Sequence, residues 1–514
     1  MISMMRCRVL SFHLLVLGFF LNVNSSTAHE IPHTIRIGVA ETDITPPVGF
    51  PMAGYFHERL AEGKNDPLKA KCVVFRSESQ QVALVICDLT GIAVDFSHAV
   101  RTQAAERTGI PAANIIVSAT HSHTAPDYTK TLYELLDASS DDAERSANEV
   151  VAVTRDETSA TSESRMDYVA RLIENTVAAV EQASMAVQPA GLESGWVEQQ
   201  TPVAFNRRFV QRDGSVRTWV GLDHADSVRS AGPIDPEIGL LRINNTSGQP
   251  IGLVSSFALH LDTVGGLKWS GDYPYFIEQS VRTSLGPGVV SLFGTGCCGD
   301  INHINPRGKE RNKTDFIGNS LGETIVAGLQ DLHPIENPRL EVRSTTVPLP
   351  LQDASAEDVA KAIQVMKAVH AGEKVEFLDH VTAHKKLLVD QLRNNPRLAS
   401  DAETHLARRQ THHWAGIGAA LPVEIHAICL GDDLAIVCLP GEVFVDLGLA
   451  IKRGSPFRTT LIVELSNSVE SCYIPTRAAY AGGSYEVTNS AVAAGSGEML
   501  VEEALKLLRS AASR

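Results

Sequence analysis

Ser118-Ala119-Thr120-His121-Ser122-His123-Thr124-Ala125-Pro126-Asp127 is the stretch on which the reading of this chain turns. It follows Ile115-Ile116-Val117, a short apolar run that reads as a buried strand ending at Ser118. Side chains alternate between faces along a strand, so His121 and His123 share a face if extended geometry persists that far. Two imidazoles side by side at a strand end are a common beginning for a zinc site; two polar loop residues are the rival reading. What other strands deliver to the same rim decides between them.

Three segments have the form strand, tight polar turn, strongly apolar strand. Residues 71–75 and 82–87 lead to Asp88; residues 240–243 and 251–259, joined by Asn244-Asn245-Thr246-Ser247-Gly248, lead to His260. Residues 424–430 and 434–439, joined by Gly431-Asp432-Asp433, lead to Pro440-Gly441-Glu442. The pattern predicts three hairpins delivering Asp88, His260 and Glu442 to a common rim of one layered, mixed-sheet α/β core. Helical spacing marks 97–107, 166–183 and 497–512, the last with Leu500, Ala504, Leu505 and Leu508 on one face. Helical insertions are expected near 131–195, with a charged Ser/Asp/Glu-rich stretch at 138–165, and near 355–415. The second contains His370, His380, His384, His405 and His412, with His413 just beyond. His380 and His384 would share a helix face and form a metal pair, but nothing nearby completes such a site, and the group reads mainly as surface residues.

Arg6 and Arg8 precede an apolar stretch, 9–23, followed by Ser26-Thr27-Ala28. This is the pattern of a secretory signal peptide, 1–28, cleaved after Ala28, which exports the chain to the periplasm or the exterior. The apolar core is short for a membrane span and is broken by His13. The mature chain of 486 residues (514 minus 28) has ample length for a large core. Loss of the two leader arginines takes the formal net charge from −15 to −17, which argues against a nucleic-acid partner. Eight cysteines become seven without Cys7, so at least one has no intrachain partner. Cys72, Cys87, Cys429 and Cys438 lie in apolar runs, where burial as small hydrophobes competes with a disulfide framework.

Further candidate chemistry sits in loops. Phe293-Gly294-Thr295-Gly296-Cys297-Cys298-Gly299-Asp300-Ile301-Asn302-His303 combines glycines, which permit close backbone approach to a ligand, with Asp300, Asn302 and His303. A thiol nucleophile at Cys297 or Cys298 lacks any supporting Cys/His pattern. Asp272, before a helix expected from Tyr275, either caps that helix or orients a histidine. Tyr473 and Tyr485 lie among turn residues, and a phenol can donate to a developing oxyanion or approach a metal. The chain contains no GxSxG elbow, no HExxH and no glycine-rich nucleotide fingerprint, which weighs against α/β-hydrolase, zincin and dinucleotide readings.

In this order, several segments resemble the neutral/alkaline (non-lysosomal) ceramidase family: Glu41-Thr42-Asp43-Ile44-Thr45-Pro46-Pro47, Met52-Ala53-Gly54-Tyr55, Ser118 to His123, Phe205-Asn206-Arg207, Phe257-Ala258-Leu259-His260, Gly299-Asp300, Pro440-Gly441-Glu442, and Tyr473 with Tyr485-Glu486. The resemblance implies a catalytic unit over 29–514 that binds Zn²⁺ through His121, His260, Glu442 and Tyr473. It implies that His123 handles a proton or orients the substrate, and that Arg207 and Tyr485 hold the scissile carbonyl or nearby polar groups. Asp300 would orient a histidine. The substrate class implied is a small-molecule or lipid amide, which allows peripheral contact with a membrane.

Two departures qualify that expectation. Asn302 stands where the family loop carries a serine and His303 where it carries proline, so an ester intermediate at that serine position is excluded, while attack by metal-activated water is not. The chain also stops soon after the tyrosine motifs, leaving no room for the family's C-terminal immunoglobulin-like domain. Two alternatives follow: a related zinc amidase or esterase acting on a non-ceramide substrate, and a non-catalytic exported metal- or ligand-binding protein. N-terminal sequencing of the exported protein should begin at His29; a mature chain that retains Arg6 and Arg8 would replace the cleaved leader with an anchor.

Overall fold

The computed structural model describes residues 35–136, 159–308, 311–394 and 411–512. The expected signal peptide, most of the charged stretch (138–158) and His405 lie outside these residues. The architecture follows from apolar runs of period two. A nine-stranded sheet contains β1 (Arg36–Asp43), β2 (Lys69–Arg76), β3 (Gln81–Cys87), β4 (Ile115–Ala119), β5 (Gln188–Glu198), β6 (Glu237–Asn245), β7 (Pro250–Phe257) and β8 (Val290–Thr295). Its order is β8-β7-β6-β5-β1-β2-β3-β4, and His333–Pro334 also pairs with β5. A four-stranded sheet runs β9 (Leu340–Pro350), β10 (Ala420–Leu430), β11 (Leu434–Cys438) and β12 (Thr459–Val463) in that order.

The two sheets share one apolar layer, to which Ile37, Val73, Phe75, Leu84 and Val254 come from the larger and Ile428, Ile436 and Leu461 from the smaller. Cys72 and Val74, one residue out of phase, face the opposite side and meet Phe96 and Val100 of α1 (Val94–Thr108) and Leu172 and Val180 of α2 (Ser159–Met185). A one-residue slip of β2 would exchange these two sets, so the register is fixed by burial on both faces. α3 (Tyr273–Leu285) and α4 (Thr314–Gly328) cover the other half of the larger sheet at Leu240, Phe257 and Phe293. Between β9 and β10 come α5 (Ala356–His370) and α6 (Phe377–Asn394). Together with α7 (Val445–Gly454) and α8 (Ser496–Ala512), α6 packs on the outer face of the smaller sheet, with Leu388, Leu447 and Leu500 against Val423 and Val437. The layers are therefore helix, sheet, sheet, helix.

The three hairpins predicted from sequence are all present, and each is the start of a longer unit. β2–β3 leads through α1 to β4, which lies parallel to β3; β6–β7 leads through α3 to β8, parallel to β7; β10–β11 leads through α7 to β12, parallel to β11. His121, His260 and Glu442 follow the carboxyl ends of β4, β7 and β11. Asp88 follows β3, but its carboxylate accepts from the Lys69 amide (2.8 Å) and Thr120 Oγ1 (3.3 Å) and supports the β4 end from behind.

The strand does not carry through the histidine pair. β4 stops at Ala119 and His121 takes a positive φ of 76°, in the left-handed region. The His121 amide donates to Leu89 O and the His123 amide to Leu261 O, so a turn, and not strand alternation, aims the two rings. His380 and His384 do share a face of α6, yet both rings meet the ring of Phe56, at 5.4 and 5.7 Å. All seven described cysteines are free, six of them buried, which favours the small-hydrophobe reading. Among the described residues no helix is long and apolar enough to cross a membrane.

Glu470, in the loop after β12, accepts from the amide of Val94 at the start of α1 (2.8 Å) and from that of Val469 (3.0 Å). Burial pushes its carboxyl up to about 8, more than these backbone hydrogen bonds pull it down. The folded state thus holds this proton more tightly than the unfolded chain does. The associated stability is full in acid and is lost as pH rises from the ordinary carboxylate range through about 8. Urea melts of Glu470→Gln should show a flatter decline in stability between pH 5 and pH 9 than wild type; parallel declines would remove Glu470 as the source.

Candidate metal centre

The loops after β4, β7 and β11 bring three imidazoles and one carboxylate together. His121 Nε2 lies 2.9 Å from His260 Nε2 and 3.3 Å from His123 Nε2, and the three rings can offer ligand atoms all within 4.8 Å of one another. Glu442 Oε2, buried, lies 3.4 Å from His121 Nε2 and 3.9 Å from His260 Nε2. The backbone fixes the ring tautomers. His121 Nδ1 is 2.6 Å from Thr90 O and His260 Nδ1 is 3.4 Å from Cys298 O; a carbonyl can only accept, so each Nδ1 carries the hydrogen and each neutral Nε2 presents a lone pair. Lone pairs that face each other next to a buried carboxylate are stable only around a positive charge. The donor set therefore fits a divalent metal ion.

The electrostatics agree. For His121, burial alone would lower the pKa, but the Glu442 charge and hydrogen bond and the Thr90 carbonyl outweigh it and raise it. Burial and then the His121 charge push His123 and His260 well below the usual histidine range. Glu442 is held below its ordinary value: burial raises it, and the His121 charge and hydrogen bonds from His121 and Tyr473 overcome that. Four groups thus compete for one positive charge.

Tyr473 joins the site through backbone pairing, since Tyr473–Ile474 lies parallel to Glu442–Val443. Its hydroxyl accepts from Arg207 Nη2 (3.1 Å), whose guanidinium also donates to Gly299 O (2.9 Å) and, through Nε, to Glu486 Oε1 (2.8 Å). Glu486 is fully buried and also pairs with Arg208 Nε at 3.1 Å. Tyr485 lies next to Tyr473, ring centroids 5.5 Å apart, and burial pushes its phenol up, keeping it protonated. His123 and Tyr485 are the partly exposed members and mark the opening. Gly54 reaches His123 with φ +97°, where a Cβ would stand 2.7 Å from His123 Cβ, so only glycine permits this approach.

The glycine-rich loop is used differently from the sequence expectation. A Cβ on Gly299 would meet Glu442 O at 2.7 Å, so this glycine allows two loops to touch and does not cradle a ligand. Asp300 accepts from Asn206 Nδ2 (2.7 Å) and the Val445 amide (2.9 Å), and Asp272 accepts from Thr263 and the Tyr273 amide; neither hydrogen-bonds a site histidine. The expected orienting role falls to the carbonyls of Thr90 and Cys298. Asp272 is the cap of α3. Asn302 Oδ1 accepts from the Ile304 amide (3.1 Å), closing its own turn, and His303 is buried with Nδ1 unpartnered. Burial raises the Cys298 thiol, whose Sγ lies 3.1 Å from Glu464.

Sequence reasoning missed Glu464 and gave no role to Glu486 or Asp262. Glu464, fully buried, receives the amides of Cys298 (3.2 Å) and Val443 (2.7 Å) and so ties the His260 side of the site to the Glu442 side. It follows β12, the one strand end of the third repeated unit that the hairpin pattern did not reach. Asp262 Oδ1 lies 3.8 Å from His123 Nδ1 and accepts from Tyr55 OH (2.5 Å).

The fold is similar to that of solved structures. The chain is similar to the crystal structure of neutral ceramidase from Pseudomonas aeruginosa, with a TM-score of 0.65 and 17% identity, covering 94% of this chain and 75% of that one. A ceramidase complexed with C2 matches with a TM-score of 0.64 at 17% identity over 93% of this chain and 75% of that one. No family model and no curated protein sequence matches the chain.

Because both Asp300 oxygens accept hydrogen bonds in the buried junction between Asn206 and α7, Asp300→Asn should leave one donor unsatisfied. A loss of about 1–3 kcal/mol in urea unfolding is expected; stability equal to wild type would mean the junction tolerates an amide.

Proposed function

We propose that this protein is a zinc-dependent hydrolase that cleaves an amide (N-acyl) bond with activated water. The convergence of His121 and His260 Nε2 at 2.9 Å beside Glu442, with both Nδ1 atoms turned to carbonyls, carries the proposal. His121, His260, Glu442 and Tyr473 would hold the ion, and its similarity in fold to a neutral ceramidase supports this donor assignment. Bound there, zinc would supply a Lewis acid that polarises the scissile carbonyl and makes a water acidic near neutral pH.

The remaining chemistry belongs to the chain. His123 stands in the opening, beside the donor set through Nε2 and near Asp262 through Nδ1, and is placed to pass a proton to the leaving amine. Tyr485, kept protonated by burial, donates to the carbonyl oxygen as charge develops. Arg207 holds the Tyr473 hydroxyl while Glu486 neutralises its charge. Asn302 has no hydroxyl to acylate and is engaged in its own turn, so water attacks without an ester intermediate there. The exported location implied by the leader is part of the same proposal.

Elemental analysis of the purified protein should give about one zinc per chain, with hydrolysis of a short-chain N-acyl substrate. His260→Ala should lose metal and turnover together. His123→Ala should keep the metal and lose turnover by about 10²–10⁴-fold. Metal loss in His123→Ala would instead make His123 a ligand, and wild type free of specifically bound metal would remove the mechanism.

A further inference from the structure

Two large aromatic side chains stand half-exposed at the opening: Phe377, the first residue of α6, at 45%, and Trp219 at 48%. Isolated exposed apolar residues are ordinary and need no explanation. These two touch each other and a site residue. The Tyr485 ring is 4.8 Å from Trp219 and 5.7 Å from Phe377, nearly parallel to the latter at 24°, and Trp219 and Phe377 are 6.3 Å apart. Tyr485 leads inward to Tyr473, which pairs with Glu442. A continuous run of aromatic faces therefore connects the metal centre with solvent.

Phe377 is also held in place. Its ring meets Phe56 at 5.8 Å, and Phe56 is clasped by His380 and His384, so the helix cannot easily turn Phe377 away from the opening. The same contacts bound the apolar surface. Outward, beyond Phe56, come two imidazoles; inward, the Arg207 guanidinium lies 5.5–6.0 Å from the rings of Trp219, Tyr473 and Tyr485. The surroundings of His123 are polar by contrast, with Asp262, Tyr55 and Arg59, which donates to His123 O at 2.6 Å. An amine leaving toward His123 finds that polar side, and the acyl group then falls on the aromatic side next to Tyr485.

We infer that Trp219 and Phe377 form an acyl-binding platform that selects amides of aromatic or short aliphatic acids over amides of long-chain fatty acids. The inference rests on the amide-hydrolase reading above for the direction of the substrate, and it adds the substrate class. Stacking a ring on the platform removes apolar surface of both partners from water, worth roughly 1.5–3 kcal/mol, or about ten- to a hundredfold in affinity.

Acetyl, phenylacetyl and hexadecanoyl amides of one fluorogenic amine, assayed with the zinc-loaded wild type, Trp219→Ala and Phe377→Ala, test this. Wild type should favour phenylacetyl over acetyl by about tenfold or more in kcat/KM, mostly through KM, and each variant should erase that preference, losing about tenfold more on the phenylacetyl amide than on the acetyl amide. A preference for the hexadecanoyl amide in wild type, equal losses on acetyl and phenylacetyl amides, or an unchanged preference in both variants would overturn the platform. Calorimetric titration with phenylacetate and acetate separates this failure from that of the hydrolase reading. Tighter binding of phenylacetate that both variants abolish, with no amide turned over, would keep the platform and sink the hydrolase. Turnover of the acetyl amide with equal binding of the two acids would do the reverse, and neither turnover nor selective binding would sink both.

Discussion

The structure depends on one electrostatic constraint: two imidazole nitrogens held 2.9 Å apart whose hydrogens the backbone has assigned elsewhere. Thr90 O and Cys298 O take the Nδ1 hydrogens of His121 and His260, leaving two acceptors face to face with a third, Glu442 Oε2, within 4 Å of both. In a buried site such an arrangement repels itself unless a cation or a proton occupies it. The opposed shifts of the histidines express this: His121, nearest the carboxylate, gains affinity for a proton, and His123 and His260 lose it. A divalent ion meets the same demand more completely, because it can engage every acceptor at once.

Holding these acceptors against their repulsion needs a rigid frame, and the three hairpin–helix–strand units supply it. His121, His260 and Glu442 lie within four residues of the ends of β4, β7 and β11, so sheet register sets where their loops begin. Buried charge elsewhere in the site is compensated. Arg207, which donates to the Tyr473 hydroxyl beside the histidine cluster, is neutralised by Glu486, which it shares with Arg208. Removing one partner of such a buried set leaves an uncompensated charge, typically several kcal/mol of penalty, so the arginine and glutamate act as a unit. Glu464 differs: burial pushes its carboxyl well above the usual range, against the pull of the Cys298 and Val443 amides that donate to its two oxygens.

Strand-level features were legible in the sequence because their physics is local. Apolar runs of period two, separated by Gly/Asn/Asp turns, gave the three hairpins, and the residues after them gave His260 and Glu442. The Asp272 cap and the amphipathic face of α8 followed in the same way, with Leu500, Ala504 and Leu508 buried and Leu505 half-buried. Loop-level features were not legible. Alternation predicted a shared face for His121 and His123, whereas a positive φ at His121 aims the rings. Asp300 sits in a sequence rich in site signals, but its partners, Asn206 and Val445, are 94 and 145 residues away. Nothing in the local pattern of 299–303 reveals such contacts. Glu464 was within reach: extending each hairpin to its following parallel strand would have exposed it as the third such strand end.

The same distinction governs how much a shared fold says about a shared substrate. At 17% identity the likeness to a neutral ceramidase extends over 94% of this chain, which is what strand register and a two-faced core preserve. The opening is built from other parts: the loop carrying Trp219, the segment around Tyr55 and Phe56, the Asn302-His303 turn and the tip of α6. Loops on a rigid scaffold can change without cost to the register beneath them. The candidate donors therefore begin from the part of the molecule that resists change, and the exposed aromatic rings at the opening lie on the part that accepts it. His380 and His384 illustrate the point. Their spacing suited a metal pair, yet both rings pack on Phe56, and Phe56 in turn on Phe377.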